Sequence, residues 1–293
     1  MGSLDIPPPH TPGWVVPLHS GCLSVAFLLW SLTYVLMTRR SLATKSYGMP
    51  LLALACNVSW EIVNLFYVCE MPLEKVGLAM WLVLDVGLVY TTVRFGPDEW
   101  RASSPSSSPS SSSLTSSLSA WAGRNIGCVL ALLTAAGCVA HWRFSAWWLA
   151  APGRSWDPHA SKAGKWWGGQ EGFDTSELAF WTSGFAQLIA SYGSLSMLRS
   201  RGHSGGTGYD IWFCRAAGTV IGPILGYIPM WWYWPEAHGY VASWLSVLIW
   251  GPGVVCDLIY PIALRRVRSS ELVLPDGRVI SGPSRAGDDK KTD

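Results

Sequence analysis

Charge is what this chain most conspicuously has little of. Asp, Glu, Lys and Arg make up 14% of its 293 residues, against roughly 25% in an ordinary soluble domain. A soluble fold is therefore excluded first. The net charge of +2 is too small to imply a nucleic-acid partner. No glycine pattern of the P-loop or dinucleotide-binding kind occurs, which argues against nucleotide chemistry. The 6 histidines are scattered and form no cysteine–histidine set with metal spacing, so no metal is expected. No C-x-x-C occurs, and the 7 cysteines (Cys22, Cys56, Cys69, Cys128, Cys138, Cys214, Cys256) are odd in number. Most sit in apolar runs and read as small buried side chains, not a disulfide framework. Lys45, Lys75, Lys162, Lys165, Lys290 and Lys291 all lie outside the apolar runs, which excludes a retinal Schiff base. The terminal Gly287–Asp293 run, G-D-D-K-K-T-D, only superficially resembles an acidic metal motif.

What is abundant is apolar: 49% hydrophobic residues and 19 tryptophans. A spanning helix needs about 20 mostly apolar residues. Seven such stretches are present: Pro17–Met37, Gly48–Val68, Val76–Val93, Ile126–Trp142, Ser176–Leu198, Ile211–Trp234 and Tyr240–Leu264. The fold class expected is all-α, a seven-helix transmembrane bundle over residues 1–268. The first stretch reads as a span and not a cleavable signal, because no basic segment precedes it. Ser103–Ser119 is serine-rich and cannot bury a core, so it reads as a disordered linker. The connection Arg143–Asp174 holds Trp147, Trp148, Trp156, Trp166 and Trp167. It reads first as an interfacial anchor and second as a lid. Residues 269–293 read as a mobile polar tail.

Arg39, Arg40, Lys45, Arg94, Arg101, Arg124, Arg199, Arg201, Arg265, Arg266 and Arg268 fall in the odd-numbered connections and the tail. The positive-inside rule then predicts a luminal N-terminus and a cytosolic C-terminus. Arg143, Arg154, Lys162 and Lys165 in the long fourth connection dissent, though long loops obey the rule weakly. The endoplasmic reticulum is the membrane expected.

Acids inside a span are costly and mark function by default. Glu61, Asp85 and Asp257 lie well inside spans. Glu177 and Asp210 lie at helix ends and read as favourable partners of the helix dipole. Asn57, Glu61 and Asn64 share one helix face. Interhelical hydrogen bonding explains two asparagines, whereas a glutamine would serve that purpose without the ionisation problem of Glu61. Trp250, Gly253 and Asp257 share a face of the last helix, where the glycine leaves room for a ligand or a close neighbour. Asp85 shares a face with Trp81 and could pair with Arg215.

Burial disfavours the charged form of a carboxyl, so a buried acid can keep its proton and act as a general acid. A second acid in a more polar setting can stay ionised and act as base. Protonation of an epoxide or alkene would start a carbocation cascade along an isoprenoid chain. Aromatic faces stabilise such a cation by about 0.5–2 kcal/mol each. Trp60, Trp81, Tyr227, Trp231, Trp232 and Trp250 could supply them, although Trp231, Trp232 and Trp234 also look like an interfacial belt.

N-x-x-W-E in the second stretch (Asn57, Trp60, Glu61) is preceded by Y-G-M (Tyr47, Gly48, Met49). Together with the seven-span plan and the Asp257/Tyr260 pair of the last span, this resembles the fungal membrane-bound terpene cyclases of the pyripyropene and paxilline type, over about residues 17–265. The resemblance implies protonation-initiated cyclisation of an epoxidised prenyl chain on a polyketide or indole core, as in fungal meroterpenoid biosynthesis. It implies an isomerase or lyase with no cofactor and no metal. The epoxide would come from a flavin monooxygenase, which with a prenyltransferase would be a functional partner. Glu61 and Asp257 would then be catalytic. The candidate substrate-binding residues are Asn57, Trp60, Asn64, Trp81, Asp85, Tyr227, Trp250 and Tyr260. The serine-rich insertion, the long fourth connection and the extended tail depart from the pattern. Two rival readings remain: a hydrolase or ether-forming cyclase on a polyketide epoxide, and a seven-helix transporter or receptor whose acids relay protons or pair with ligands. No internal repeat of the transporter kind is found.

Overall fold

The computed structural model describes residues 5–103 and 120–282. The long helices are α1 (Val15–Thr44), α2 (Leu51–Val63), α3 (Pro72–Ser103), α4 (Ile126–Trp148), α5 (Thr175–Arg201), α6 (Tyr209–Thr219) and α9 (Trp244–Arg268). Two short helices, α7 (Tyr227–Tyr233) and α8 (Pro235–His238), connect α6 to α9. Six helical stretches are long and apolar enough to cross a membrane: Val15–Thr44, Leu51–Val68, Pro72–Arg101, Ile126–Trp148, Tyr209–Tyr233 and Trp244–Arg268. Helix α5, 27 residues long, is more polar because it carries Thr182, Gln187, Ser191 and Ser194 on its buried side. All seven cysteines are unpaired. The serine-rich linker and the end of the tail lie outside the described residues.

Packing contacts run α1–α6–α9–α5–α2–α3 and back to α1, a closed ring of six helices. Helix α4 stands outside this ring, against α2. Two π-helical turns interrupt the ring helices, Asn64–Val68 after α2 and Val220–Leu225 after α6. The second contains Pro223, which has no N–H to donate and whose ring crowds the preceding turn. Such turns are frequent at functional sites.

The two ends of the bundle are closed differently. At one end, residues 149–174 fold over the helices. There Trp166–Trp167 pairs with Gln170–Glu171 across Gly168 and Gly169, both at positive φ, the geometry of a tight hairpin turn that glycine accommodates. Trp167 Nε1 donates to Val68 O at 2.9 Å and Gly168 N to Glu70 Oε1 at 3.0 Å. The connection is thus a built cap over the end of α2, and not only an interfacial anchor. Trp234 is buried beneath it while Trp232 is exposed, so only part of the expected tryptophan belt faces outward.

The other end is closed by Y-G-M. Tyr47 O accepts from Arg201 Nη1 at 2.7 Å, its ring lies under the Arg201 guanidinium, and its hydroxyl accepts from Trp100 Nε1. Gly48 packs on the backbone of Gly206, which has φ 76°. The start of the tail, expected to be a mobile polar segment, carries a short hairpin in which Leu272–Val273 pairs with Val279–Ile280. Val279 is buried, and Glu271 accepts from Ser204 N and Oγ.

A side chain at Gly206 would meet the Tyr47–Gly48 backbone at 2.7 Å and would hold an unfavourable left-handed conformation. The expected cost of Gly206→Ala is at least about 2 kcal/mol, read as a lower unfolding midpoint of the detergent-solubilised protein.

Candidate functional site

Two polar clusters lie on helices of the ring. The first joins α1, α2 and α3. Glu61 and Asp85 are 0% and 2% exposed. Asn57, one turn before Glu61, places Nδ2 at 2.9 Å from Glu61 Oε1 and 3.2 Å from Asp85 Oδ2. The same nitrogen lies 2.7 Å from Tyr34 Oη, which donates to Glu61 Oε1 at 3.1 Å. An amide has only two N–H bonds, so these three acceptors compete for it. Glu61 Oε2 and Asp85 Oδ1 are buried and have no partner. Trp81 packs beside Tyr34 at 6.2 Å between ring centroids, its Nε1 held by Ser31 Oγ at 3.0 Å.

The second cluster joins α5, α6 and α9. Asp257 Oδ1 accepts from Arg215 Nη2 at 2.5 Å. Its Oδ2 accepts from Ser191 Oγ at 2.8 Å and Gln187 Nε2 at 3.4 Å. Arg215 Nη1 donates to Ser194 Oγ at 2.6 Å, and the guanidinium stands 5.2 Å from the Tyr260 ring centroid. Tyr260 Oη bonds Thr207 Oγ1 at 2.8 Å. The expected Asp85–Arg215 pair is therefore corrected: Arg215 serves Asp257. The buried face of α9 runs Ser246, Trp250, Gly253, Asp257, Tyr260, Leu264, the 3–4 spacing of one helix stripe. The room at Gly253 is taken by α5, whose Leu188 Cα would lie 3.7 Å from an added Cβ.

Counted from the shared end, Glu61 is about 15 Å past the start of α2 and Asp257 about 16 Å before the end of α9.

The other candidates are placed as follows. Trp60 Nε1 donates to Thr182 Oγ1 at 2.9 Å, tying α2 to α5. Asn64 Nδ2 donates to Trp60 O at 2.8 Å, at the π turn. Tyr227 and Trp250 meet around Phe180, at 5.1 and 5.3 Å between centroids. The Tyr227 hydroxyl is engaged with Ser176 O, whereas Trp250 Nε1 is buried without a partner.

A third cluster, missed by the sequence, lies under the cap. Lys162 Nζ reaches Glu177 Oε2 at 2.6 Å, Asp174 Oδ2 at 2.8 Å and Ala237 O at 2.6 Å. Lys165 Nζ reaches Asp5 Oδ2 at 2.7 Å, Ser176 Oγ at 3.0 Å and His238 Nε2 at 3.5 Å. Asp174 caps α5, accepting from Ser176 N and Glu177 N, and Glu177 stands in the first turn as expected of a dipole partner. Burial works against the charged form of Asp174, but Lys165 and Lys162 outweigh this and hold its carboxyl well below the usual range. Burial likewise opposes the Lys162 ammonium, and the Asp174 and Glu177 carboxylates outweigh it in turn. Every one of these groups is partnered, which marks the cluster as architecture. Asp210 likewise stands in the first turn of its helix, α6, and is exposed there.

Fold and site together define an α-helical membrane protein whose helix ring buries carboxyl groups from opposite parts of the chain. Among the described residues no group of histidine, cysteine and acidic side chains could hold a metal ion. The sequence pattern of the Pyr4-like transmembrane terpene cyclases matches residues 4–111 and 163–270. The chain is 34% identical over 275 residues to terpene cyclase ascF of Acremonium egyptiacum, covering 94% of this chain and 91% of that one. It is 25% identical over 260 residues to Pyr4-family terpene cyclase mfmH of Annulohypoxylon moriforme, covering 89% and 90%. It is 27% identical over 246 residues to terpene cyclase pyr4 of Aspergillus fumigatus, covering 83% of each. No solved structure matches the chain. The chain belongs to the Pyr4-like transmembrane terpene cyclases.

Removing Arg215 alone would strand a buried Asp257 carboxylate. Arg215→Met should cost about 3–5 kcal/mol, while adding Asp257→Asn should restore part of it; paired thermal melts in nanodiscs measure both.

Burial and the neighbouring Lys165 hold the His238 imidazole well below its ordinary value. Below about pH 6.5 the unfolded chain takes up a proton that the folded chain refuses, so stability falls as pH falls. The expected loss is about 1.4 kcal/mol per pH unit in that window, and His238→Gln should flatten it in unfolding midpoints taken across that range.

Proposed function

We propose that this terpene cyclase folds an epoxidised prenyl chain, carried on a polyketide or indole core, inside the ring of helices and closes it by acid–base catalysis. The observation that supports this most directly is the arrangement of the two carboxyl clusters. Glu61 has an oxygen with no protein partner, and Asp257 lies at about the same depth on α9, which the ring order sets opposite α3.

The step is an isomerisation. Glu61 gives a proton to the epoxide oxygen, and the C–O bond to the more substituted carbon breaks. The resulting cation is captured in turn by the alkenes of the chain. Asp257 takes the proton released when the last cation collapses to an alkene. No atom is gained or lost, and no metal or cofactor takes part. Trp81 and Trp250 offer π faces to the travelling charge, each worth about 0.5–2 kcal/mol.

In this reading α5 is the seventh span, supported by its 27-residue length and by its packing between α2 and α9. Arg39, Arg40, Arg199, Arg201, Arg265, Arg266 and Arg268 all fall at the end of the bundle where α1, α5 and α9 finish. That end faces the cytosol and the capped end the lumen of the endoplasmic reticulum. A flavin monooxygenase and a prenyltransferase supply the epoxyprenyl substrate, and the product is a fungal meroterpenoid.

Microsomes from a heterologous host, supplied with a synthetic epoxyfarnesyl–aromatic substrate, test the reading by mass spectrometry. Wild type should form a product of unchanged mass, and Glu61→Gln and Asp257→Asn should each lose about 10²-fold or more of the rate. A product heavier by one water would instead make the protein an epoxide hydrolase. Unchanged substrate, with well-expressed wild type, would count against the prenyl epoxide.

A further inference from the structure

The sequence marks Asp85 only as a polar residue near the substrate. Its surroundings assign it more. Glu61 and Asp85 face each other closely enough for a hydrogen bond between their carboxyl groups. Two carboxyl oxygens can hydrogen-bond only if at least one bears a proton, because a carboxylate has nothing to donate. Asn57 Nδ2 lies against one oxygen of each carboxyl, the inner pair Glu61 Oε1 and Asp85 Oδ2. The outer oxygens, Glu61 Oε2 and Asp85 Oδ1, are buried and unpartnered.

The groups facing this pair are few. Helix α1 contributes the Tyr34 hydroxyl, and α2 the Asn57 amide beside Glu61 itself. Helix α4 brings His141, which contacts Cys56 on α2 at 3.7 Å and neither carboxyl. Helix α5 offers Thr182, bound to Trp60. Among the described residues no lysine or arginine forms an ion pair with Glu61 or Asp85, and Arg215 is engaged by Asp257. A charge on the pair therefore has hydrogen bonds to stabilise it, but no cation.

Building on the acid–base reading above, we propose that Asp85 is the positioning residue of the proton donor: Glu61 and Asp85 work as a paired diacid that releases one proton from the outer oxygen of Glu61 and retains the other between them. Before the step the pair is neutral. The proton on Glu61 Oε2 passes to the epoxide oxygen as the C–O bond breaks. The remaining proton stays shared between Glu61 Oε1 and Asp85 Oδ2. One negative charge is thereby spread over two carboxyls, supported by Tyr34 and Asn57, and faces the new carbocation. Donors placed where charge develops are worth about 10²–10³-fold in rate each. Asp257 is unlike this pair. Both its oxygens are engaged and one is bound to a guanidinium, which suits a carboxylate that accepts the final proton. Exchange with water, after product leaves, restores the donor.

Infrared difference spectroscopy tests the pair without any substrate. Purified wild type in nanodiscs at neutral pH should show a protonated-carboxyl C=O band that shifts in deuterium oxide. The band should change in both Glu61→Gln and Asp85→Leu and stay in Asp257→Asn. In the cyclisation assay, Asp85→Leu should lower kcat about 10²-fold with KM within about twofold, and Asp85→Asn should recover part of the loss because its amide still donates to Glu61. Unfolding midpoints identify variants that merely misfold. A paired response in the spectra without turnover would support the diacid while overturning the substrate assigned above. A band insensitive to Asp85, or full kcat in a folded Asp85→Leu, would overturn the diacid.

Discussion

A carboxyl group inside a hydrocarbon layer must either find a cation or keep its proton, because neither water nor screening is available to it. The inner architecture of this protein follows from that one constraint, met in two ways. Asp257 takes the first course. It binds Arg215, and three hydroxyl and amide side chains of α5 complete the shell around the pair. Glu61 and Asp85 form no ion pair among the described residues and share the amide of Asn57. Both solutions require polar partners from neighbouring helices, so the helices must close into a ring that turns these faces inward. The polarity of α5 is a direct result: its hydroxyls and its glutamine are the shell of Asp257. That same polarity leaves α5, which the sequence counts among seven spans, out of the helices apolar enough to cross a membrane by composition.

The ends of the ring use different chemistry. Under the cap, near the edge of the bundle, a compact group of ammonium and carboxylate charges is affordable because every member is paired. Removing one member of such a group leaves an uncompensated buried charge, which makes it a strong fastener and a poor place for change. The opposite end relies on shape. Gly48 and Gly206 bring two loops into backbone contact, and Arg201 lies flat on Tyr47. The Y-G-M triplet thus has a structural explanation independent of any reaction.

Much of this was legible in the sequence. Low charge and long apolar runs specify membrane helices, and the 3–4 spacing of Asn57, Glu61 and Asn64, or of Trp250, Gly253 and Asp257, specifies which side is buried. Partners across helices were not legible. Nothing local to Asp85 distinguishes Arg215 from Asn57 as its neighbour, and the pairing first expected was the wrong one. Tyr34 was missed because one hydroxyl in an apolar helix has no periodic signal. Lys162, Lys165 and His238 were missed for a different reason. Charges in a long connection look solvated, and only the fold of the cap shows that Lys165 is fully buried. Hairpin Leu272–Ile280 was too short and too polar around its turn to stand out from the tail.

The order of the polar residues along the chain has one more consequence. Tyr34, Asn57, Glu61 and Asp85 all precede the serine-rich segment, and Gln187, Ser191, Arg215 and Asp257 all follow it. The family pattern divides in the same way, into 4–111 and 163–270, and the intervening stretch contains α4, the one long helix that stands outside the ring. The polypeptide is therefore a tandem of unlike halves, one carrying the Glu61–Asp85 cluster and the other the Arg215–Asp257 cluster. Neither half is a lesser version of the enzyme. Each half is completed only by the other, because the ring closes through the contacts of α1 with α6 and of α2 with α5.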